Sequence, residues 1–466
     1  MTARLGTGEQ PGRLKAGVVG VPAMVFMVVA ATAPLTAMSS NIALSLGMGA
    51  GPAVVLVMVL TGALLAVFAA GYLVLARYVT SAGAYQAFVA FGLGRRAGGS
   101  VAFVATLAYT LAAGGMVAAT GYFTGLAVSA LTGIDLPWWL YAIGALLLTA
   151  ALGVRGVEIA QRVTTAVSVL QFGIIALLAV AVLVQRPEGW LNAGTLSPTA
   201  ALGPGLALTL VFCLLSFAGF EATAAYGEET HAPGRSITVA TYAALGLLLG
   251  VFVLGTWTLV AAFDDVRTSA ADDPGALVLT AADRYLGPWS GPLLGVLIAI
   301  SFLAAAVAFH NLAIRYLFTL GRDGMLPTAL ARTHGRYQTP YVGCMVVTVA
   351  AVVMLTPFVV AGADPLVNLF PAVSGITSIS LIGLMTGCCV SVVVARLRGT
   401  VTGSAWSTLV APVMAGAGLL GILVVIASNY AEVTGSDSPV IAAMPLVVLV
   451  AGLAGAVAAG RREERG

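Results

Sequence analysis

Residues 16–76 carry no charged side chain: Lys15 and Arg77 bound an apolar stretch of sixty-one positions. A helix that spans a bilayer needs roughly 20 apolar residues, so this stretch predicts two spans joined by a turn near Gly47–Pro52. Apolar runs separated by charge or by Gly/Pro clusters continue through the chain. In the first half they predict spans at 17–46, 53–76, 98–131, 138–154, 163–185 and 203–226. In the second half they predict 237–262, 287–321, 341–361, 366–395, 403–428 and 438–459. The expected fold class is an all-α polytopic membrane protein with twelve transmembrane helices. Residues 79–96 are moderately apolar and glycine-spaced, which suits a re-entrant or interfacial segment; the acidic stretch 263–286 reads as a connector.

Two spans are interrupted. Ala31, Thr32, Ala33, Pro34, Leu35 and Thr36 place a proline and two hydroxyls midway along the first, and Ser216 to Glu221 interrupt the sixth. Lipid supplies no replacement hydrogen bonds, so a broken helix persists at membrane depth only where it borders a protein-walled or watery cavity. Five spans counted from each break give segments 17–185 and 203–395. Five is odd, so the second copy starts on the opposite side of the membrane, the inverted-repeat plan of many secondary transporters. Residues 403–459 then form two additional spans, with tails at 1–16 and 460–466.

Composition supports a membrane protein: 60% of residues are hydrophobic and 8% charged, against about 25% charged in soluble domains. With the N-terminus inside, seventeen Lys and Arg residues fall in inside segments, while only Arg186, Arg267 and Arg284 fall outside. This asymmetry predicts that both termini are cytoplasmic. Arg4, Arg13 and Lys15 precede a run too long for a signal peptide, so a retained first helix in the plasma membrane is expected. Cys213, Cys344, Cys388 and Cys389 lie in apolar runs and read as small buried hydrophobes, with no metal-ligand spacing. No P-loop or nucleotide domain is present, which excludes ATP-driven transport within this chain, and nothing suggests a cofactor or nucleic acid. The partners expected are the lipid bilayer, a small-molecule substrate and, for coupling, protons.

An interrupted helix exposes N–H groups where its second half starts and carbonyls where its first half ends. Together they suit the head of a zwitterionic amino acid without any charged side chain. Candidate substrate-binding positions are therefore Thr32, Ala33, Pro34, Leu35 and Thr36 at one break, and Ser216, Phe217, Ala218, Gly219 and Phe220 at the other. Gly219 either admits a ligand to the backbone or packs two helices closely. Glu221 either hydrogen-bonds a neighbouring helix or accepts a proton beside the cavity. His310 and Asn311 in the eighth span are buried polar groups; histidine changes charge near neutral pH. Gln171 is the strongly polar side chain of the fifth span, and Tyr109 is a candidate aromatic lining or gating residue.

Phe217-Ala218-Gly219-Phe220-Glu221, followed by Glu228-Glu229-Thr230 and Pro233-Gly234-Arg235, resembles the sixth-helix signature of the amino acid–polyamine–organocation superfamily. Arg315-Tyr316 through Arg322-Asp323-Gly324-Met325-Leu326-Pro327, then Thr339-Pro340, resembles the region after the eighth helix of the same permeases. Ser81-Ala82-Gly83-Ala84-Tyr85 resembles their motif after the second helix. The resemblance runs from about residue 17 to 395. It implies a LeuT-type 5+5 inverted repeat plus two C-terminal helices, with helices one and six unwound around a midplane site. Family roles carry over unevenly. Thr32 to Thr36 replace the Gly-rich motif that cradles a substrate carboxylate. Leu215 stands where some exchangers place an aromatic gate. Gln171 aligns with a lysine that occupies the sodium position in some proton-coupled members.

The leading reading is a secondary active transporter of an amino acid or related amine. A polyamine permease would want several acids facing the cavity, and Glu221 is the one candidate. An ion-independent exchanger remains open. A membrane-embedded enzyme needs a catalytic pair or metal cluster at shared depth, which three histidines without ligand spacing do not offer, and no selectivity filter or signalling domain suggests a channel or sensor. A sodium site between the first and eighth helices needs carbonyl and hydroxyl oxygens. The centre of span eight, Leu303 to Ala308, has Ser301 as its nearest hydroxyl, so protons are the expected coupling ion.

Overall fold

A computed structural model describes residues 21–79, 84–155, 158–221, 223, 233–335, 337, 339–436 and 438–463. The motif residues Ser81 to Gly83 and Glu228 to Thr230 lie outside the described residues. The first apolar run does not form one helix. α1 (Val21–Thr32) stops before Ala33, and the chain restarts as α2 (Pro34–Ala37), a π turn (Met38–Ile42) and α3 (Ala43–Met48). Then come α4 (Val54–Tyr78), α5 (Ala84–Leu93), α6 (Arg95–Thr132), α7 (Trp138–Arg155) and α8 (Glu158–Gln185). The one-turn α9 (Pro198–Ala201) leads into α10 (Leu206–Ser216), which ends at the second break. The second half holds α11 (Pro233–Ala262), α12 (Val266–Asp272), α13 (Leu277–Leu286), α14 (Ser290–Arg322), α15 (Tyr341–Val360) and α16 (Phe370–Leu397). It closes with α17 (Ala411–Ser428), α18 (Tyr430–Thr434), α19 (Pro439–Ala442) and α20 (Leu446–Glu463).

Nine described helices are long and apolar enough to cross a membrane: α4, α6, α7, α8, α11, α14, α15, α16 and α17. The other three expected spans are not among them, two because their helices are short and the last because its eighteen residues include Arg461, Arg462 and Glu463. The first is divided at Ala33, the sixth is helical over Leu206–Ser216, and the last over Leu446–Glu463. Helices dominate because a segment in lipid must satisfy its own backbone hydrogen bonds. Leu147, Leu170, Val353 and Leu453 are each more than half exposed, as lipid-facing side chains are.

The long α6 is central, with α14, α20, α16 and α7 packed along it. Small residues permit the closest approaches: a Cβ on Gly455 of α20 would stand 2.3 Å from the Gly99 carbonyl oxygen of α6. Phe123 of α6 stacks on Phe302 of α14 at 4.9 Å, and Phe302 meets the edge of Phe370 on α16.

The stretch expected to be a plain connector, 263–286, contains α12 and α13. Asp265 starts α12 by accepting the amides of Arg267 (3.0 Å) and Thr268 (3.2 Å). The Thr268 amide and hydroxyl hold the exposed Asp265 carboxyl below its ordinary range. Arg267 donates to the Gly49 carbonyl (2.8 Å), and the Glu432 carboxylate accepts the Gly205 amide. A Cβ on Gly205 would stand 2.5 Å from the Gly49 backbone. The ends of α3 and α10 are thus clasped together from both sides.

Candidate functional site

The first break rests on Ala33, whose φ of 45° makes it the non-glycine residue with positive φ among the described residues. That conformation costs an L-residue about 1–2 kcal/mol, and Pro34 lacks the N–H that would continue α1. The Leu35 amide donates to Oε1 of Gln171 at 3.2 Å, and the Gln171 amide nitrogen donates to the Ser301 hydroxyl. One side chain of α8 therefore ties the broken helix to α14. The Thr36 and Ala37 amides both reach the Ala33 carbonyl, at 2.9 and 3.4 Å.

The second break turns on Gly219, with φ 106°. A Cβ there would meet only the Thr32 methyl among the described residues, at 3.8 Å, so backbone conformation rather than contact at Cβ requires glycine. The same distance places the two breaks face to face. Amides of Phe217, Ala218 and Phe220 are bonded to Leu214, Leu215 and Phe217 carbonyls at 3.0–3.2 Å. The Gly219 amide donates to Oε2 of Glu221 at 2.9 Å, and the Tyr72 hydroxyl donates to the Glu221 carbonyl at 3.0 Å. Open amides are expected at such breaks from sequence. Here the key two are occupied, that of Leu35 by Gln171 and that of Gly219 by Glu221.

Between the breaks lies a cavity of about 30 Å³, room for a water or two and not for an amino acid. Its polar wall is Thr32, Thr36, Ser40, Asn41 and Ser216. Its apolar wall is Ala37, Met116, Leu215, Ala218, Ala305 and Phe309. None of the described lining residues is charged. Of the sequence candidates, Thr32, Thr36, Leu215, Ser216 and Ala218 line it.

The other candidates stand elsewhere. Ala33, Pro34 and Leu35 are buried in the break itself. Phe217 packs edge-on against Phe252, and Phe220 edge-on against Phe68. Tyr109 stands one layer behind the cavity, stacked on Phe309 (6.2 Å) and on Tyr316 (5.6 Å). His310 points at α15, with Nε2 3.2 Å from the Thr348 hydroxyl and Nδ1 unpartnered. Neither His310 nor Asn311 borders the cavity; Asn311 is half-buried with its amide nitrogen unpartnered. Sequence reasoning missed Ala37, Ser40, Asn41, Met116, Ala305 and Phe309. A signal existed for two of them: Ser39, Ser40 and Asn41 are a polar triplet within an apolar run. Phe309 precedes His310, but neighbours on a helix point about 100° apart.

A family model described as amino acid permease matches residues 18–452. The chain is 26% identical over 262 residues to the low-affinity putrescine importer PlaP of Escherichia coli (strain K12), covering 53% of this chain and 55% of that protein. It is 25% identical over 315 residues to the methylthioribose transporter of Bacillus subtilis (strain 168), covering 63% and 65%. It is 25% identical over 191 residues to the branched-chain amino acid permease BcaP of the same organism, covering 40% and 39%. The chain thus spans less than two thirds of the length of each. Among solved structures, MhsT in complex with L-phenylalanine superposes with TM-score 0.63 at 16% identity, covering 89% of this chain and 100% of that one. A manganese transporter of Eremococcus coleocola superposes with TM-score 0.59 at 14% identity, covering 96% and 95%. These likenesses show the fold, which is of the LeuT type.

Proposed function

The chain belongs to the amino acid permease family, and from that premise we propose that it carries a neutral amino acid or close amine across the plasma membrane as a sodium-independent, proton-coupled secondary transporter working by alternating access. Residues 17–185 and 203–395 act as the two inverted repeats, and both termini lie in the cytoplasm. The basic-residue asymmetry supports that orientation. The uncharged cavity wall supports a neutral ligand over a polyamine, whose ammonium groups need facing carboxylates.

The observation that carries the proposal is the Glu221 carboxylate on the Gly219 amide. A substrate carboxylate that takes this amide displaces Glu221. Glu221 is buried, at 8% exposure, where an unpaired charge is costly and the protonated form is not. Substrate entry and proton uptake are then one event: the zwitterion's carboxylate replaces the side chain's, and a proton neutralises the latter. Gln171 supports the absence of sodium, since its amide engages Ser301 and the amide of Leu35 together. Inner closure falls to the stacked Phe309, Tyr109 and Tyr316.

Uptake of a radiolabelled amino-acid panel into proteoliposomes, with choline replacing sodium and with or without an inward proton gradient, tests this. Accumulation that follows the proton gradient and ignores sodium is the expected result. Strict sodium dependence overturns it, and indifference to both gradients assigns the protein as an exchanger.

A further inference from the structure

The cavity's hydroxyls are mostly committed to their own helices. Thr32 Oγ1 donates to the Val28 or Val29 carbonyl (3.0 and 2.9 Å), Ser40 Oγ to the Thr36 carbonyl (2.8 Å), and Ser216 Oγ to the Phe212 carbonyl (2.8 Å). Two cavity side chains keep capacity to spare. Thr36 Oγ1 has no hydrogen-bond partner among the described residues. Asn41 donates one N–H to Ser216 Oγ at 3.1 Å, while its Oδ1 has only the Ser40 hydroxyl at 3.4 Å, and that single proton is already given to Thr36. Both residues are 6% exposed, so water does not serve them freely.

The aim of Asn41 depends on the π turn Met38–Ile42 that contains it. A π turn adds a residue to the helical circuit and rotates the helix beyond it, and such turns concentrate at functional sites. This one brings Asn41 to face α10 across the cavity. Asn41 stands eight residues, about 12 Å along the helix axis, beyond Ala33, and its amide reaches Ser216, three residues before Gly219. A substrate whose head took the breaks would have this amide within reach of its side chain.

We infer that Asn41, with Thr36 beside it, reads the substrate's side chain and selects an uncharged hydrogen-bonding group, a hydroxyl or carboxamide, over its apolar isostere. The inference rests on the amino-acid reading above. A site built to hydrogen-bond a substrate discriminates strongly against the analogue that leaves its polar groups unpaired.

The test is competition binding to the purified full chain with two isosteric pairs, threonine against valine and asparagine against leucine. In the wild type the polar member should displace the bound radiolabelled amino acid at a concentration at least about tenfold lower. In Asn41→Leu that ratio should fall to about one or invert. Thr36→Val removes a hydroxyl that bonds nothing among the described residues, so it carries the same ratio test should Asn41→Leu not fold, with a smaller drop expected. A wild-type preference for the apolar members, or an unchanged ratio in a folded Asn41→Leu or Thr36→Val protein, overturns the inference alone. Failure of every amino acid to bind the wild type overturns the amino-acid reading and this inference with it.

Discussion

The two breaks solve one problem in different ways. At Ala33 the freed amide is satisfied from far along the chain, by Gln171, whose neutral amide also holds Ser301. At Gly219 it is satisfied from two residues on, by Glu221, whose carboxyl can exchange a proton. A neutral cap bridging three elements holds a joint in place at any pH. An ionisable cap on its own loop makes a joint that protons can release. Under the proposed function, the first break serves as a frame and the second as the moving, coupled part.

Substitutions at the second break should have the largest effects. Gly219→Leu puts a branched side chain at φ 106° beside a cavity of about 30 Å³, and binding should fall by at least about a hundredfold, some 3 kcal/mol, in a protein that stays inserted and monodisperse. Gly219→Ala separates backbone from bulk: only the Thr32 methyl is near a Cβ there, so the fold should lose about 1–2 kcal/mol, read as a lower thermal midpoint, while affinity falls far less than in Gly219→Leu. Normal affinity in folded Gly219→Leu would remove this break from ligand recognition.

Glu221→Gln tests the coupling itself. With one proton per cycle, each unit of inside-alkaline pH gradient supports about tenfold accumulation. The variant should exchange labelled for unlabelled substrate yet accumulate none, and its exchange rate should lose its pH dependence. An accumulation ratio equal to the wild type would return Glu221 to a structural cap.

Gln171→Leu tests the frame. It orphans the Leu35 amide and the Ser301 hydroxyl, each worth about 1–3 kcal/mol when buried. The thermal midpoint should fall, and uptake should fall by the same factor at every pH. A changed pH profile would make the first break a coupling element as well. Ala33→Gly should have the smallest effect, because relief of about 1 kcal/mol of left-handed strain is offset by the greater freedom of unfolded glycine. A midpoint within a few degrees of the wild type is expected; a larger fall would show that the Ala33 methyl is needed for packing.

How far these features are legible in the chain varies with the range of the interaction. The apolar runs place α7 and α15 within a residue or two of Trp138–Arg155 and Tyr341–Val360, because lipid imposes the same rule on every span. Both breaks are visible because Pro34 and Gly219 act locally on the backbone. His310 shows the limit. It is as polar and as deep as a site residue, yet it faces Thr348 and α15 while its neighbour Phe309 faces the cavity. Helix rotation decides between them, and packing sets that rotation.

The sequence by itself determined that this is a multi-span membrane protein, where its apolar runs lie, and which two of them break. Those outcomes come from composition, charge and backbone chemistry that each segment carries alone. Only the tertiary structure decided which groups satisfy the breaks, that Gln171 bridges three elements, that Glu221 occupies the Gly219 amide, and that a π turn aims Asn41 across the cavity. Those depend on contacts between residues up to 175 positions apart, and no local pattern encodes which partner a buried polar group will meet.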